Sequence, residues 1–219
     1  MQPVELLGWV AVLLTFLRLG SQPWHNLRSG QVAGLSAAAV GNNLVSDAGW
    51  LWFGIEVGLA PVWAVSVVLL PVDLLTLWVV RNRIDRTAVL STSLWSAALI
   101  GGWLVGGAGG LGAALVVSVI VILLPQVIAV LRLDQLSGLS LVTMALASAD
   151  AAAWTAYGVL TGDATLLLYG LVLGLGTGII TWRVVVTRSV PARSEGPLSP
   201  PSSTAADNPT AGGAYTSGP

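Results

Sequence analysis

Asn43, Asp47 and Trp50 stand at i, i+4 and i+7, a spacing that puts them on one face of a helix. A second stretch carries Asp150 and Trp154 at i and i+4, with Tyr157 three residues on. Both stretches are otherwise apolar. Counting about 1.5 Å per residue from Leu35 and from Leu139 places Asp47 and Asp150 near the middle of a bilayer-spanning helix. An Asp at that depth costs about 2.5–3.5 kcal/mol on insertion scales, so it is expected to face a cavity or a partner and not lipid. Two such carboxyls that face one another, or one that is desolvated, can hydrogen-bond a polar solute or take up a proton. The alternative chemistry is a structural hydrogen bond to Ser, Asn or backbone within the bundle. A Trp beside each acid offers a flat apolar face with a polar edge, which suits stacking on a solute ring; Trp also anchors helices at membrane interfaces. These six residues form the candidate substrate-binding set.

Other chemistries lack their groups. The chain has no Cys and one His, His25, so thiolate catalysis, disulfides and clusters of metal-binding imidazoles are excluded. No nucleophile–base pair or P-loop occurs, so neither an enzyme nor a cofactor is expected. Gly107-x-Gly109-x-x-Gly112 matches a dinucleotide fingerprint in form only, because no strand precedes it, and it is read as a turn. All nine basic residues are Arg, the net charge is −1, and no basic block exists to hold nucleic acid.

The elements that must carry the candidate set are membrane spans. Only 9% of the 219 residues are charged and 55% are hydrophobic, where a water-soluble domain has about a quarter of its residues charged. A span needs about 20 mainly apolar residues between polar or Gly/Pro-rich breaks. That rule predicts seven helices, near Val4–Leu19, Leu35–Val57, Pro61–Val80, Ala88–Val105, Leu111–Leu131, Leu139–Leu160 and Ala164–Val184. Met1–Val4 has no basic residue, so the first run is read as a retained helix and not a cleaved signal. Arg18 and Arg28 flank the first connection, Arg81, Arg83 and Arg86 fill the third, Arg132 sits in the fifth, and Arg183, Arg188 and Arg193 open the tail. The connections at Gly58, Gly107 and Gly162 have no basic residue. Basic residues mark cytoplasmic loops, so the N-terminus is expected outside and the C-terminus inside, which needs an odd number of spans. After Arg188 the chain turns to Pro, Ser, Thr, Gly and Ala and is read as a disordered cytoplasmic tail.

A shift of 104 positions aligns the chain with itself. Ser21-Gln22 falls on Pro125-Gln126, Arg28 on Arg132, Gly34-Leu35-Ser36 on Gly138-Leu139-Ser140, Trp50 on Trp154, Phe53-Gly54 on Tyr157-Gly158 and Trp78 on Trp182. Trp, Gln and Arg are uncommon enough that apolar composition alone does not produce these matches, so the repeat is real. One helix between two three-helix units lets both units insert in the same sense, as parallel repeats about an axis along the membrane normal. Sites in such proteins lie near the midplane between the repeats.

The pattern Pro-Gln, a basic residue, Gly-Leu-Ser, then Trp-x-x-Tyr-Gly resembles the PQ-loop superfamily, which includes the SWEET and SemiSWEET sugar transporters. The resemblance covers about residues 1–185. It is full in the second copy (Pro125, Gln126, Gly138, Ser140, Trp154, Tyr157, Gly158) and degraded in the first, where Ser21 replaces the motif Pro and Pro23 lies two residues on. It implies an all-α integral membrane fold of 3+1+3 helices: a first repeat over 1–86, a linker helix over 87–107, a second repeat over 108–187 and a tail over 188–219. It further implies hinges at Gln22-Pro23 and Pro125-Gln126, and movement of a small solute, sugar or amino-acid-like, by alternating access. Pro125 as a simple kink, and a receptor or scaffold on the same fold, are the competing readings. The sugar transporters place an Asn on the third helix of each unit. The corresponding spans here have none, offering Ser66, Asp73 and Tyr169 instead, which weakens sugar as the substrate. Gly170 and Gly174 have the GxxxG spacing of close helix packing. Two fused repeats suffice for one pathway, so no oligomer is required. Arg without Lys, with abundant Ala, Gly, Val and Leu, suggests a GC-rich bacterial genome.

Overall fold

The computed structural model describes residues 2–19, 36–132 and 141–189. Gln22, Pro23 and the segment from Val190 to Pro219 lie outside the described residues. Six helices make up the described part: α1 (Pro3–Leu19), α2 (Ala37–Glu56), α3 (Ala60–Val80), α4 (Arg86–Arg132), α5 (Leu141–Thr161) and α6 (Ala164–Ser189), with a 3-10 turn at Arg81–Arg83 after α3. Their ends follow the sequence. Asp85 and Asp163 accept the amide protons of Ala88 and Leu166 at 2.7 and 2.8 Å, capping α4 and α6. Pro61 sits in the first turn of α3, where its missing N–H costs nothing.

Among the described residues three helices are long and apolar enough to cross a membrane: Ala60–Arg83, Arg86–Arg132 and Ala164–Thr187. α1 has 17 residues, and α2 and α5 carry the candidate polar residues, which lowers their apolar density. The outer surface is apolar, with Leu104, Leu175 and Val142 strongly exposed. Water does not tolerate such a surface at this extent, whereas lipid does.

Six helices were found where seven spans were expected, and α4 explains the difference. It is 47 residues long and contains two helices that run together across Gly107, whose φ of 58° and ψ of −143° are not helical. In a straight helix residues 102 and 110 would stand about 12 Å apart. Instead the Gly110 carbonyl oxygen lies 2.8 Å from where a Gly102 Cβ would be. The two arms, 86–106 and 108–132, therefore fold back on one another through a single glycine, and the Gly107-x-Gly109-x-x-Gly112 segment is one reversal inside helix, not a loop. Elsewhere α4 keeps helical torsions, through Pro125 and Gln126 as well.

Two other turns share one geometry at the same 104-residue separation. Gly58 and Gly162 both have φ of 71°. Leu59 N–H donates to Gly54 C=O and Asp163 N–H to Gly158 C=O, each at 2.9 Å. Behind each turn the next helix presses its backbone on a glycine, Trp63 on Gly54 and Leu167 on Gly158.

Packing interlocks the front and back of the chain. α2 pairs with α3 and α5 with α6, but α1 packs chiefly on α5, while α4 lies on α2 and α6. Gly8 of α1 wedges between Pro61 and Tyr157; the second arm of α4 sets Gly112 against Thr165 and Leu115 against Gly49. One buried cluster results, joining Ala11, Phe53, Leu115, Ala153, Trp154 and Leu166. Gly170 lies against the Thr155 backbone and Gly174 against Ala151, the close α5–α6 approach that their spacing predicts.

Candidate functional site

At the junction of α1, α2, α3, α5 and α6 lies a cavity of about 90 Å³. Asp47 and Trp50 of α2 line it together with Trp154 of α5 and Tyr169 of α6; Thr15, Leu19, Val62, Val65, Ser66 and Leu69 complete the described walls. The i, i+3 step from Asp47 to Trp50 gives both side chains the same helix face. Trp50 and Trp154, matched at the 104-residue offset, both meet Tyr169 edge-on, with ring centroids 5.2 and 6.2 Å apart. Each Trp also makes the same edge-to-face contact three residues along its own helix, with Phe53 at 5.8 Å and Tyr157 at 6.0 Å.

The two intramembrane acids part company. An offset of 104 carries Asp47 to Ala151, not Asp150. One residue turns a helix by about 100°, so equivalent helices aim the two carboxyls differently. Asp47 opens on the cavity and interacts with the carboxyl of Asp73 on α3. Asp73 Oδ2 is buried without a hydrogen-bond partner among the described residues.

Asp150 is fully buried and saturated. Arg18 Nε donates to Oδ2 at 2.7 Å, forming an ion pair, and Thr15 Oγ1 donates to Oδ1 at 2.7 Å. Trp154 Nε1 donates to Thr15 Oγ1 at 3.0 Å. Since a hydroxyl has one hydrogen, the Thr15 contact with Ala11 C=O at 3.0 Å is an alternative to its bond with Asp150. The result is a chain, Trp154 to Thr15 to Asp150, that holds the α5 tryptophan and carboxylate to α1. Arg18 interacts with Tyr169 as well, so the same guanidinium braces the cavity's aromatic wall.

Of the candidate set, Asp47, Trp50 and Trp154 come together at the cavity. Asp150 stands behind it, locked to Arg18. Tyr157 is buried against Gly8 and meets Trp154 edge-to-face without lining the cavity, and Asn43 is exposed. Its neighbour Asn42 is the residue that makes a bond, from Nδ2 to Ser91 Oγ at 3.0 Å. Ser66 and Tyr169, which replace the expected Asn residues, line the cavity.

Two participants escaped the sequence reading, Thr15 and Arg18. Arg18 counts there as a loop marker, yet it falls inside the predicted span Val4–Leu19. The repeat held the signal: Arg18 maps to Ile122 and Asp150 to Ser46, so each charge lacks a counterpart. Two unmatched charges of opposite sign inside spans are each other's natural partners.

Comparison with models of known protein families and with curated proteins gave no match.

Proposed function

We propose that this chain is a membrane transporter of the PQ-loop type that carries a small solute through the cavity by alternating access. The observation that carries the reading is the convergence of Trp50, Trp154 and Asp47 on one cavity between the two repeats. Counting the two arms of α4 as separate spans makes seven, the arrangement 3+1+3, with the arm over 86–106 as the linker. An external N-terminus and a cytoplasmic C-terminus are the orientation that the Arg distribution supports, and the plasma membrane is the location that a bacterial composition supports. Rocking of one repeat against the other about Pro125-Gln126 and Gln22-Pro23 would open the cavity to either side, as the resemblance implies.

The spans that would carry the sugar transporters' Asn pair have no Asn, which argues against a sugar as the solute. The test is uptake into proteoliposomes holding the full chain, over a panel of sugars, amino acids and amines, with and without a pH gradient. Uptake of at least one solute, reduced by Trp50→Ala and by Trp154→Ala, is the expected result. If nothing on a broad panel moves while the protein is folded and inserted, the transport reading fails and a receptor or scaffold takes its place.

A further inference from the structure

The charges around the cavity do not cancel. The second repeat's acid, Asp150, is neutralised by Arg18 at 2.7 Å, and both of its oxygens are occupied. Among the described residues the first repeat's acid, Asp47, has no such cation, and the group beside it is another carboxyl, Asp73. A negative charge carried there has no counter-ion among the described residues. Among the described residues no basic side chain lines the cavity. Its remaining polar groups are hydroxyls, and its walls are the rings of Trp50, Trp154 and Tyr169. An anion would meet Asp47 head on. A neutral polyol would leave that charge uncompensated. An inorganic cation needs a shell of oxygens, and hydroxyls with one carboxyl supply too few of them.

A small organic ammonium ion fits each feature: its charge pairs with Asp47, its methyl or methylene groups meet ring faces, and its size suits a cavity of about 90 Å³. We propose that the cavity selects small organic ammonium ions, held by Asp47 between Trp50, Trp154 and Tyr169. The proposal rests on reading this cavity as the solute site, and it names the solute class that the transporter reading leaves open.

The test uses the full chain in lipid nanodiscs for binding and in proteoliposomes for uptake. Methylammonium and tetramethylammonium are compared with tert-butanol, glucose and sodium ion, and binding is read by calorimetry. Ammonium ions are expected to bind at least about tenfold tighter than tert-butanol. Asp47→Asn should erase that preference at an unchanged unfolding temperature, and Asp47→Glu should restore part of it. Equal binding of tert-butanol, full displacement by sodium ion, no binding of either ammonium ion, or an Asp47→Asn variant that keeps the preference each overturns the proposal. Should Asp47→Asn fail to fold, Tyr169→Leu replaces it, with a loss of at least about threefold for tetramethylammonium expected. Ammonium binding without uptake would defeat the transporter reading and leave the ligand class standing. Uptake of neutral solutes alone would do the reverse.

Discussion

Replacing Arg18 with Met keeps most of the apolar stem and removes the cation that holds Asp150. The Asp150 carboxyl is fully buried, and Thr15 alone would remain to it. Breaking a buried pair this way costs about 3–5 kcal/mol. An upper bound comes from the orphaned group's escape route: a carboxyl of ordinary acidity takes up a proton at pH 7 for about 4 kcal/mol. The converse change, Asp150→Leu, should cost less, about 1–3 kcal/mol, because Arg18 sits one residue from the end of α1 with its side chain 19% exposed, and a long stem can reach the interface. The double variant, with neither charge, should fall within about 1 kcal/mol of the parent. Reversible unfolding in mixed lipid–detergent micelles, followed by tryptophan fluorescence, measures all four proteins. Single-variant costs that add in the double to within about 0.5 kcal/mol would refute the pairing.

Other outcomes follow from particular contacts. Trp154→Phe replaces the indole by a smaller ring and removes the N–H that donates to Thr15, so it should cost at least about 0.5–1.5 kcal/mol in the same unfolding assay. Gly158→Ala would drive a methyl to 2.8 Å from the Leu166 carbonyl carbon and should cost about 1–3 kcal/mol, whereas Gly101→Ala meets nothing within 4 Å and should be neutral or stabilise by up to about 1 kcal/mol. Because the chain has no Cys, single thiols report topology without background. A membrane-impermeant maleimide added to intact cells should label Gly106→Cys at the Gly107 reversal and leave Asn82→Cys unlabelled until the membrane is opened.

The helices were largely legible in the sequence because lipid imposes one rule on every span. Predicted and observed ends differ by only a few residues at Pro61, Val80 and Ala164. The reversal at Gly107 was visible as an unpunctuated Gly-rich stretch between apolar runs, but its tightness was not, since nothing in the residue types says that one glycine will do the work of a loop. The aromatic pair Trp50 and Trp154 was legible through the repeat. The acids were legible as a pair and misleading as partners: one residue of offset, Asp47 against Ala151, turns the two carboxyls apart, and spacing along separate helices cannot reveal whom each will meet. Arg18 shows the remaining limit. A basic residue at a helix end satisfies the rule for cytoplasmic loops and the need of a buried acid equally well, and only the fold decides between them.

The packing of α1 on α5 also orders events at the ribosome. Arg18 and Asp150 are 132 residues apart in the chain, so at about 5–20 residues per second the first helix enters the membrane roughly ten seconds before its partner is made. During that interval Thr15 and Arg18 have no α5 to bind, and Arg18 must hold its charge at the lipid headgroups. Withdrawal of that side chain from the surface is then the late step that closes the bundle. A nascent chain arrested before Asp150 would leave Arg18 more open to water-borne reagents than the completed protein does.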